Sequence, residues 1–341
     1  MRKKRLQTQH FFVTADDRTG ALEVGGVVAN EQFSVPVGPH AEGPCCVVDI
    51  ATRHVEPIAA QQRITQAHGR DAAYRCHKMD SGLRGNWPYE ARALADLGHR
   101  VAVVASYPDA GRRCKNGQVL IHDVPVTQSA FGQDPFSAPE SDYPVEILEA
   151  RGCAARDIEV WDANDNDELA DAIDRCHAEG RVLVGPTGAI AKYASRVYPS
   201  GEPATVGLPS PVLIVCGSLS AVSREQIAEL DVPRFGVGDR LKLDEIAVLT
   251  THDPGRGVSI GEANEMARAL ADRVYADFPR GTLIVVGGDT AAAIIGEDTL
   301  DVMGTVGTAI PASRYRDWVL VTKGGSIGTK STLLDLLENR R

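Results

Sequence analysis

Lys78-Met79-Asp80-Ser81-Gly82-Leu83-Arg84-Gly85-Asn86 separates a strand-like segment, Ala73 to His77, from a helix-forming one, Pro88 to Leu97. The run gathers two cations, a carboxylate, a hydroxyl and an amide, and two glycines break it up. A solvated helix face spaces its charges three or four residues apart and avoids glycine. The run therefore reads as a loop joining a strand to a helix. Glycine lets the backbone come close to a ligand. Lys and Arg suit an anionic small molecule, arginine through a two-pronged grip on carboxylate or phosphate. A polar turn with an internal ion pair would account for the same residues, and the run alone does not decide between the two.

The same layout recurs on either side. Phe11 to Ala15 reads as a short buried strand, followed by Asp16-Asp17-Arg18-Thr19-Gly20 and a small-residue helix from Ala21 to Asn30. One of the two aspartates is expected to cap that helix, leaving the other for chemistry. Cys45 to Ile50 forms a strand that runs out into Ala51-Thr52-Arg53-His54, with a helix from Ile58 to His68 behind it. Val101 to Ala105 is the continuous apolar run of a strand covered on both faces, and it ends in a turn carrying Asp109 and Arg112. Charged turns at the ends of successive parallel strands mark a ligand cleft. Between Arg113 and Pro139 helical periodicity is lost, and Gly117 to Val126 reads as a strand or hairpin. Strand–helix alternation then resumes, with Leu169, Ala172, Ile173 and Cys176 on one helical stripe.

Residues 199–211 are rich in Pro and Gly and divide the chain. Beyond them, Val212 to Val215, Leu283 to Val286 and Trp318 to Val321 read as strands. They end in Cys216-Gly217-Ser218-Leu219-Ser220, Gly287-Gly288-Asp289-Thr290 and Thr322-Lys323-Gly324-Gly325-Ser326. Each turn precedes a helix. Exposed peptide N–H groups at such helix starts suit phosphate. Gly324 to Ser331 approaches a P-loop, but Thr329 replaces its last glycine and only ten residues follow Ser331. The fold expected is α/β in two domains, residues 1–198 and 212–341 about the 199–211 linker. Each domain is expected to hold a mostly parallel sheet flanked by helices, with a ligand cleft between them.

The 341 residues carry a net charge of −10, which argues against nucleic acid as a partner. Any anionic ligand must be held by local basic residues. No apolar run approaches membrane-spanning length, and the basic start, Met1 to Arg5, is followed by too short an apolar segment for a signal peptide. Seven scattered cysteines without a C-x-x-C pair read as reduced thiols in a cytoplasmic protein. The histidines show no zinc spacing.

Four ordered motifs carry a resemblance: Ala15-Asp16-Asp17-Arg18-Thr19-Gly20-Ala21, Lys78 to Asn86, Gly287-Gly288-Asp289-Thr290-Ala291 and Lys323-Gly324-Gly325-Ser326. Together they resemble the four-carbon acid sugar kinase family, once a domain of unknown function. The resemblance implies an N-terminal sugar-acid-binding domain and a C-terminal nucleotide-binding domain. It also implies ATP-dependent phosphorylation of threonate, erythronate or 3-oxo-tetronate. By position it assigns substrate contacts to Asp17, Arg53 and Lys78-Met79-Asp80-Ser81, with Arg84 in the same motif. Asp16, Asp109 and Arg112 join them from the charged turns. Nucleotide contacts fall on Ser218, Gly287, Gly288, Asp289, Thr290 and Gly324, with Lys323 and Gly325 beside them. Arg53 and Arg84 are expected to hold the substrate carboxylate. Asp17, then Asp80, are the candidates to orient or deprotonate the attacking hydroxyl. Asp289 is the candidate to touch Mg²⁺. The partners expected are the sugar acid and ATP, and a homodimer is an admissible assembly.

The chain departs from the family pattern at Arg18, Gly82 and Ile327, where leucine, threonine and an aromatic residue are usual. Gly82 and Arg18 motivate a rival reading, a non-catalytic sensor of the same fold. A hydrolase or NTPase using the last glycine turn is a third.

Overall fold

The computed structural model describes residues 11–134, 137–198, 204, 206–251, 258–325 and 327–338. Met1 to Arg5, residues 199–203 and 205 of the expected linker, and Ser326 lie outside the described residues. The chain divides into two compact units, Met1–Val24 with Pro36–Ser200, and Gly25–Val35 with Gly201–Arg341. The expected linear division had placed residues 25–35 in the first half. The end of the expected linker is also part of the second unit. Leu208 is buried in its core, and Pro209 and Pro211 carbonyls accept from the Thr282 hydroxyl and N–H at 2.7 and 2.9 Å.

The elements of the first half run β1 (Phe11–Ala15), α1 (Arg18–Val28), β2 (Val35–Gly38), β3 (Cys45–Asp49), α2 (Pro57–His68), β4 (Tyr74–Lys78), α3 (Trp87–Asp96) and β5 (Val101–Val103). They continue through β6 (Arg112–Lys115), β7 (Gln118–Ile121), β8 (Val124–Pro125), α4 (Pro144–Ala150), β9 (Ile158–Val160), α5 (Asn166–Ala178), β10 (Val182–Gly185) and α6 (Thr187–Val197). Strands lie in the order β2-β3-β1-β4-β10-β5-β9, every neighbouring pair parallel. β1, β3, β5 and β10 are buried along their whole length. That explains their unbroken apolar sequences, because helices cover both faces of such a sheet. Ala15 pairs with both Asp49 and Lys78, and Lys78 pairs with Gly185, so four strand ends finish level. The segment without periodicity forms the small antiparallel sheet β6-β7-β8.

α1 begins three residues earlier than its small-residue stretch suggests. Asp17 caps it: Oδ1 accepts from the Gly20 N–H at 2.9 Å, and the Asp17 carbonyl accepts from Ala21 N–H. Arg18, Thr19 and Gly20 form its first turn. In an isolated helix Gly20 would cost stability, but a Cβ here would stand 2.7 Å from both Asp17 Oδ1 and Lys78 Nζ. The glycine is there to let those two groups approach.

The second unit holds β11 (Val212–Cys216), α7 (Ala221–Ala228), β12 (Arg234–Gly236), β13 (Ile246–Thr250), α8 (Ile260–Asp277), β14 (Gly281–Val286) and α9 (Gly288–Ile295). β15 (Leu300–Gly307), β16 (Ile310–Tyr315), β17 (Trp318–Lys323) and α10 (Thr332–Glu338) complete it. The order β12-β13-β11-β14-β17-β16-β15 is parallel through β17 and antiparallel beyond it. The fold is therefore α/β with mostly parallel strands. No helix among the described residues is long and apolar enough to cross a membrane.

Candidate functional site

At the level strand ends of the first unit, carboxylates and cations interlock. Arg53 follows β3 and reaches across to the turn after β1. Its Nε and NH2 bond the two oxygens of Asp16 at 2.8 and 3.1 Å, and its NH1 bonds Asp17 Oδ2 at 2.9 Å. Arg84 clasps Asp80 at 2.9 Å through both Nε and NH2, and its NH1 reaches Asp134 at 2.7 Å. Arg53 NH2 also lies 3.6 Å from Asp80 Oδ1, which joins the two clasps. Four carboxylates thus face two guanidinium groups. Burial opposes the Asp80 charge, but Arg84 and Arg53 outweigh it and hold its carboxyl well below the usual range. Burial opposes the Arg53 charge too, and Asp16, Asp17 and Asp80 push its pKa up.

Arg53 and Arg84, expected to grip a ligand carboxylate, direct part of their five-donor sets to protein carboxylates. Three donors of each guanidinium are committed to protein carboxylates, and their charge is already more than matched. Asp17 is not left free either, because one of its oxygens caps α1 and the other meets Arg53.

Lys78 is different. It is 4% exposed, and among the described residues Nζ forms neither a hydrogen bond nor an ion pair. Near it stand Glu23, Thr187 and Tyr107, which the sequence did not single out, and Arg112, which it did. Glu23, half-buried on α1, takes a hydrogen bond from the Thr187 hydroxyl on Oε2 at 3.0 Å. Burial raises the Glu23 carboxyl pKa, Lys78 pulls it back and Asp17 adds to the rise. Tyr107, after β5, is pushed up to about 12 by burial and by Glu23. Arg112 is half-buried, its pKa is lowered by burial, and it donates to the Ala110 carbonyl.

Met79 is wholly buried in the apolar core, so only its backbone can serve a ligand. Ser81 is half-buried beside Asp80. Asp109 is not brought into the cluster: it is exposed and accepts from the Asn166 amide at 2.7 Å. The unusual Gly82 has a reason. A Cβ there would meet the Phe131 ring at 2.2 Å, and that ring lies 4.9 Å from the Arg84 guanidinium and 5.9 Å from that of Arg112. Phe131 and Asp134 come from the stretch without periodicity, which offered no signal of their role. Arg18, the other departure, bonds Asp49 at 2.9 Å, a buried carboxylate whose pKa burial raises and Arg18 lowers.

In the second unit three glycine turns meet around a cavity of about 250 Å³, lined by Gly217, Ser218, Met266, Gly287 to Thr290 and Gly325 among others. Side chains are excluded here by contact. A Cβ on Gly217 would lie 2.2 Å from Thr290 Oγ1, and one on Gly325 would lie 2.3 Å from Ser218 Oγ. Gly287 has φ +116°, a conformation that favours glycine. It opens α9, whose first N–H groups have no intrahelical acceptor. Asp289 is exposed in that first turn, and Thr290 is buried. Gly324 continues β17 into the last turn, where its carbonyl and that of Ile327 accept from Lys323 Nζ at 2.9 and 2.8 Å. Lys323 therefore shapes the turn from beneath, and burial takes its pKa down to about 8. Lys330 of the P-loop-like run instead pairs with Glu229 at 2.8 Å. Among the described residues no cluster of three or more His, Cys, Asp or Glu side chains could hold a metal.

A family model described as the sugar-binding N-terminal domain matches residues 11–185. The chain belongs to the four-carbon acid sugar kinase family. It is 28% identical over 267 residues to the D-erythronate kinase of Heliobacterium modesticaldum, covering 64% of this chain and 60% of that protein. It is 28% identical over 261 residues to the D-threonate kinase of Cupriavidus necator, covering 64% and 62%. The matched stretch thus spans about three-fifths of each kinase's length. Among solved structures, the fold is similar to that of a Haemophilus influenzae protein of the DUF1537 family. The TM-score is 0.70 at 17% identity, covering 97% of this chain and 100% of that one. The sugar-binding match covers the charged turns from Asp16 to Arg112 and ends with β10, the strand beside β4.

Proposed function

We propose that the chain is an ATP-dependent kinase for a hydroxyl of a four-carbon sugar acid such as threonate, erythronate or 3-oxo-tetronate. In this reading the first unit binds the acid and the second the nucleotide. The observation that carries it is the buried, unpartnered Lys78 ammonium beside a fixed array of carboxylates. An open ammonium is matched to the ligand's one carboxylate. Carboxylates whose positions are set by Arg53 and Arg84 are matched to hydroxyl donors. Asp17, with its side chain 26% exposed, is the carboxylate assigned to orient the attacking hydroxyl. Asp80, held ionised with Arg84 on both its oxygens, is assigned to shaping the loop. Phosphoryl transfer proceeds through a loose transition state, so orientation and charge neutralisation matter more than a strong base.

The glycine turns of the second unit are assigned to the nucleotide phosphates, received on peptide N–H groups. Mg²⁺ fits this cavity because it is commonly held by one or two carboxylates together with substrate phosphates. Asp289 supplies one such carboxylate, and the ion would neutralise phosphate charge. All seven cysteines are unpaired and buried, which supports placement in the reducing cytoplasm.

The departures that motivated a sensor are absorbed by local packing, Gly82 by Phe131 and Arg18 by Asp49, so they do not favour loss of transfer. ADP release measured with a panel of four-carbon acids tests the proposal. Acid-dependent release is expected. Binding of an acid without release would support the sensor, and release without any acid would support an NTPase.

A further inference from the structure

Glu23 stands apart from the other carboxylates of the first unit's site. Asp16 gives both oxygens to Arg53, Asp17 divides its two between the Gly20 N–H and Arg53, and Asp80 has both on Arg84. Glu23 has one oxygen on the Thr187 hydroxyl, and its Oε1 accepts nothing from the other described residues. The pair spans two strand ends: α1 follows β1, Thr187 follows β10, and Lys78 ends β4 between them. An open acceptor and an open ammonium are thus presented by neighbouring strand ends. The Thr187 hydrogen bond fixes the direction in which the open oxygen points.

We infer that Glu23 is a specificity-determining residue of this site, its Oε1 accepting a hydrogen bond from one particular hydroxyl of the sugar acid whose carboxylate Lys78 holds. The inference rests on the acid-binding reading and extends it. Lys78 alone would accept any small carboxylate. A second fixed acceptor makes the pocket a reader of hydroxyl position, because a ligand lacking that hydroxyl leaves a half-buried carboxylate oxygen unpaired. The groups facing Glu23 are Lys78 from β4, Asp17 and Arg53 from the turns after β1 and β3, Tyr107 and Arg112 from the segment after β5, and Thr187 from α6. Burial raises the Glu23 pKa, so acidification protonates this carboxyl while Asp80 stays ionised. A carboxylic acid retains hydrogen-bonding capacity but is a weaker acceptor than the carboxylate.

The test is calorimetric binding of threonate or erythronate and of the three monodeoxy acids, each lacking one hydroxyl, to the full chain and to Glu23→Ala and Glu23→Gln. For the wild type, one deoxy acid should bind at least about tenfold more weakly than its parent. In Glu23→Ala that single preference should collapse to within about twofold while the others persist. Glu23→Gln, which keeps an acceptor oxygen and the side-chain length, should retain part of it. Thr187→Val, which frees the carboxylate to turn, should blunt the same preference without abolishing parent binding. Uniform weakening of all the acids in Glu23→Ala, or full retention of every preference, overturns the role of Glu23 and leaves the acid-binding reading standing. If the wild type binds none of the acids, that reading fails and this inference falls with it.

Discussion

Replacing Lys78 by Met should separate binding from stability, and the contrast with Arg53→Met makes the result decisive. Lys78 brings an ammonium into a site where it is 4% exposed and has no hydrogen-bond or ion-pair partner among the described residues. Removing a buried charge from water without pairing it is unfavourable. Met fills much of the same space, and relief of that cost is offset by losing the attraction of Lys78 for Glu23 and Asp80, so Lys78→Met should fold about as stably as the wild type. The ligand carboxylate loses its charge-assisted bond, worth about 1.5–3 kcal/mol, so its Kd should rise by roughly 10- to 150-fold. Arg53→Met should behave in the opposite way. It strips the counter-charge from Asp16, whose side chain is 1% exposed, and from Asp17. Breaking a buried pair by removing one partner costs about 3–5 kcal/mol. The assays are urea unfolding at neutral pH and calorimetric titration with threonate or erythronate. If Lys78→Met binds the acid within threefold of wild type, the carboxylate is held elsewhere. If it unfolds as easily as Arg53→Met, the lysine is a structural ion-pair partner and the argument from its isolation is wrong.

Gly217→Ala should weaken nucleotide binding at least tenfold, because the added Cβ falls 2.2 Å from Thr290 Oγ1. Gly238→Ala, with nothing within 4 Å, should be neutral; equal effects in a nucleotide titration would remove the cradle from the proposal. His68 bonds the Thr14 hydroxyl at 2.9 Å, and burial, with His77 adding, depresses its pKa well below 6.5. Because the folded value lies below the unfolded one, its contribution is complete above about pH 6.5 and is lost on acidification, by up to about 1.4 kcal/mol per pH unit. His68→Gln should flatten that acid limb in urea titrations at stepped pH, and an unchanged slope would contradict the assignment. Lys323 is depressed from 10.5 to about 8, so between those values the unfolded chain binds more protons and stability rises with pH. Lys323→Met should abolish that rise; a rise that survives belongs to another group.

The first unit was largely legible because its strands are covered on both faces. Cys45–Asp49 and Val101–Val103 have no polar face to interrupt the pattern, and their charged ends announced the ligand edge. The start of α1 was misplaced because Gly20 argued against a helix, while the Asp17 cap and the approach of Lys78 required one. Phe131 and Asp134 were invisible, since an irregular loop has no period and their partners Gly82 and Arg84 lie some 50 residues away. Glu23 looked like any polar helix residue until Thr187, Lys78 and Tyr107 were seen around it. In the second unit β13 and the β15–β16 hairpin escaped notice. β15 carries Gly304 and Gly307 and is half-exposed towards its end, which blurs the alternation a reader depends on. No change in composition marks residues 25–35 as belonging to the second unit.

The chain's net charge of −10 makes the chemistry of its two candidate sites a matter of local contrast. In the first unit the arginines do not supply a surplus of positive charge, because Asp16, Asp17, Asp80 and Asp134 outnumber Arg53 and Arg84. Their effect is to hold acceptors rigidly, so that hydroxyl groups find oxygens already in place and little entropy is lost in ordering them. In the proposed reading anion attraction falls to the Lys78 ammonium, with Arg112 the other cation at this site that pairs with no carboxylate among the described residues. A plain carboxylate would meet that ammonium among carboxylate oxygens of its own sign, whereas a ligand bringing hydroxyl donors can bond to their remaining lone pairs. In the proposed reading the second unit receives phosphate on peptide N–H groups, since Lys323 is turned onto two carbonyls and Lys330 onto Glu229. Salt separates the two designs. An ion pair formed in a buried pocket is screened much less than interactions between exposed charges. Acid binding should therefore fall less steeply with ionic strength than nucleotide binding, which in the proposed reading places phosphates beside the exposed Gly288 and Asp289.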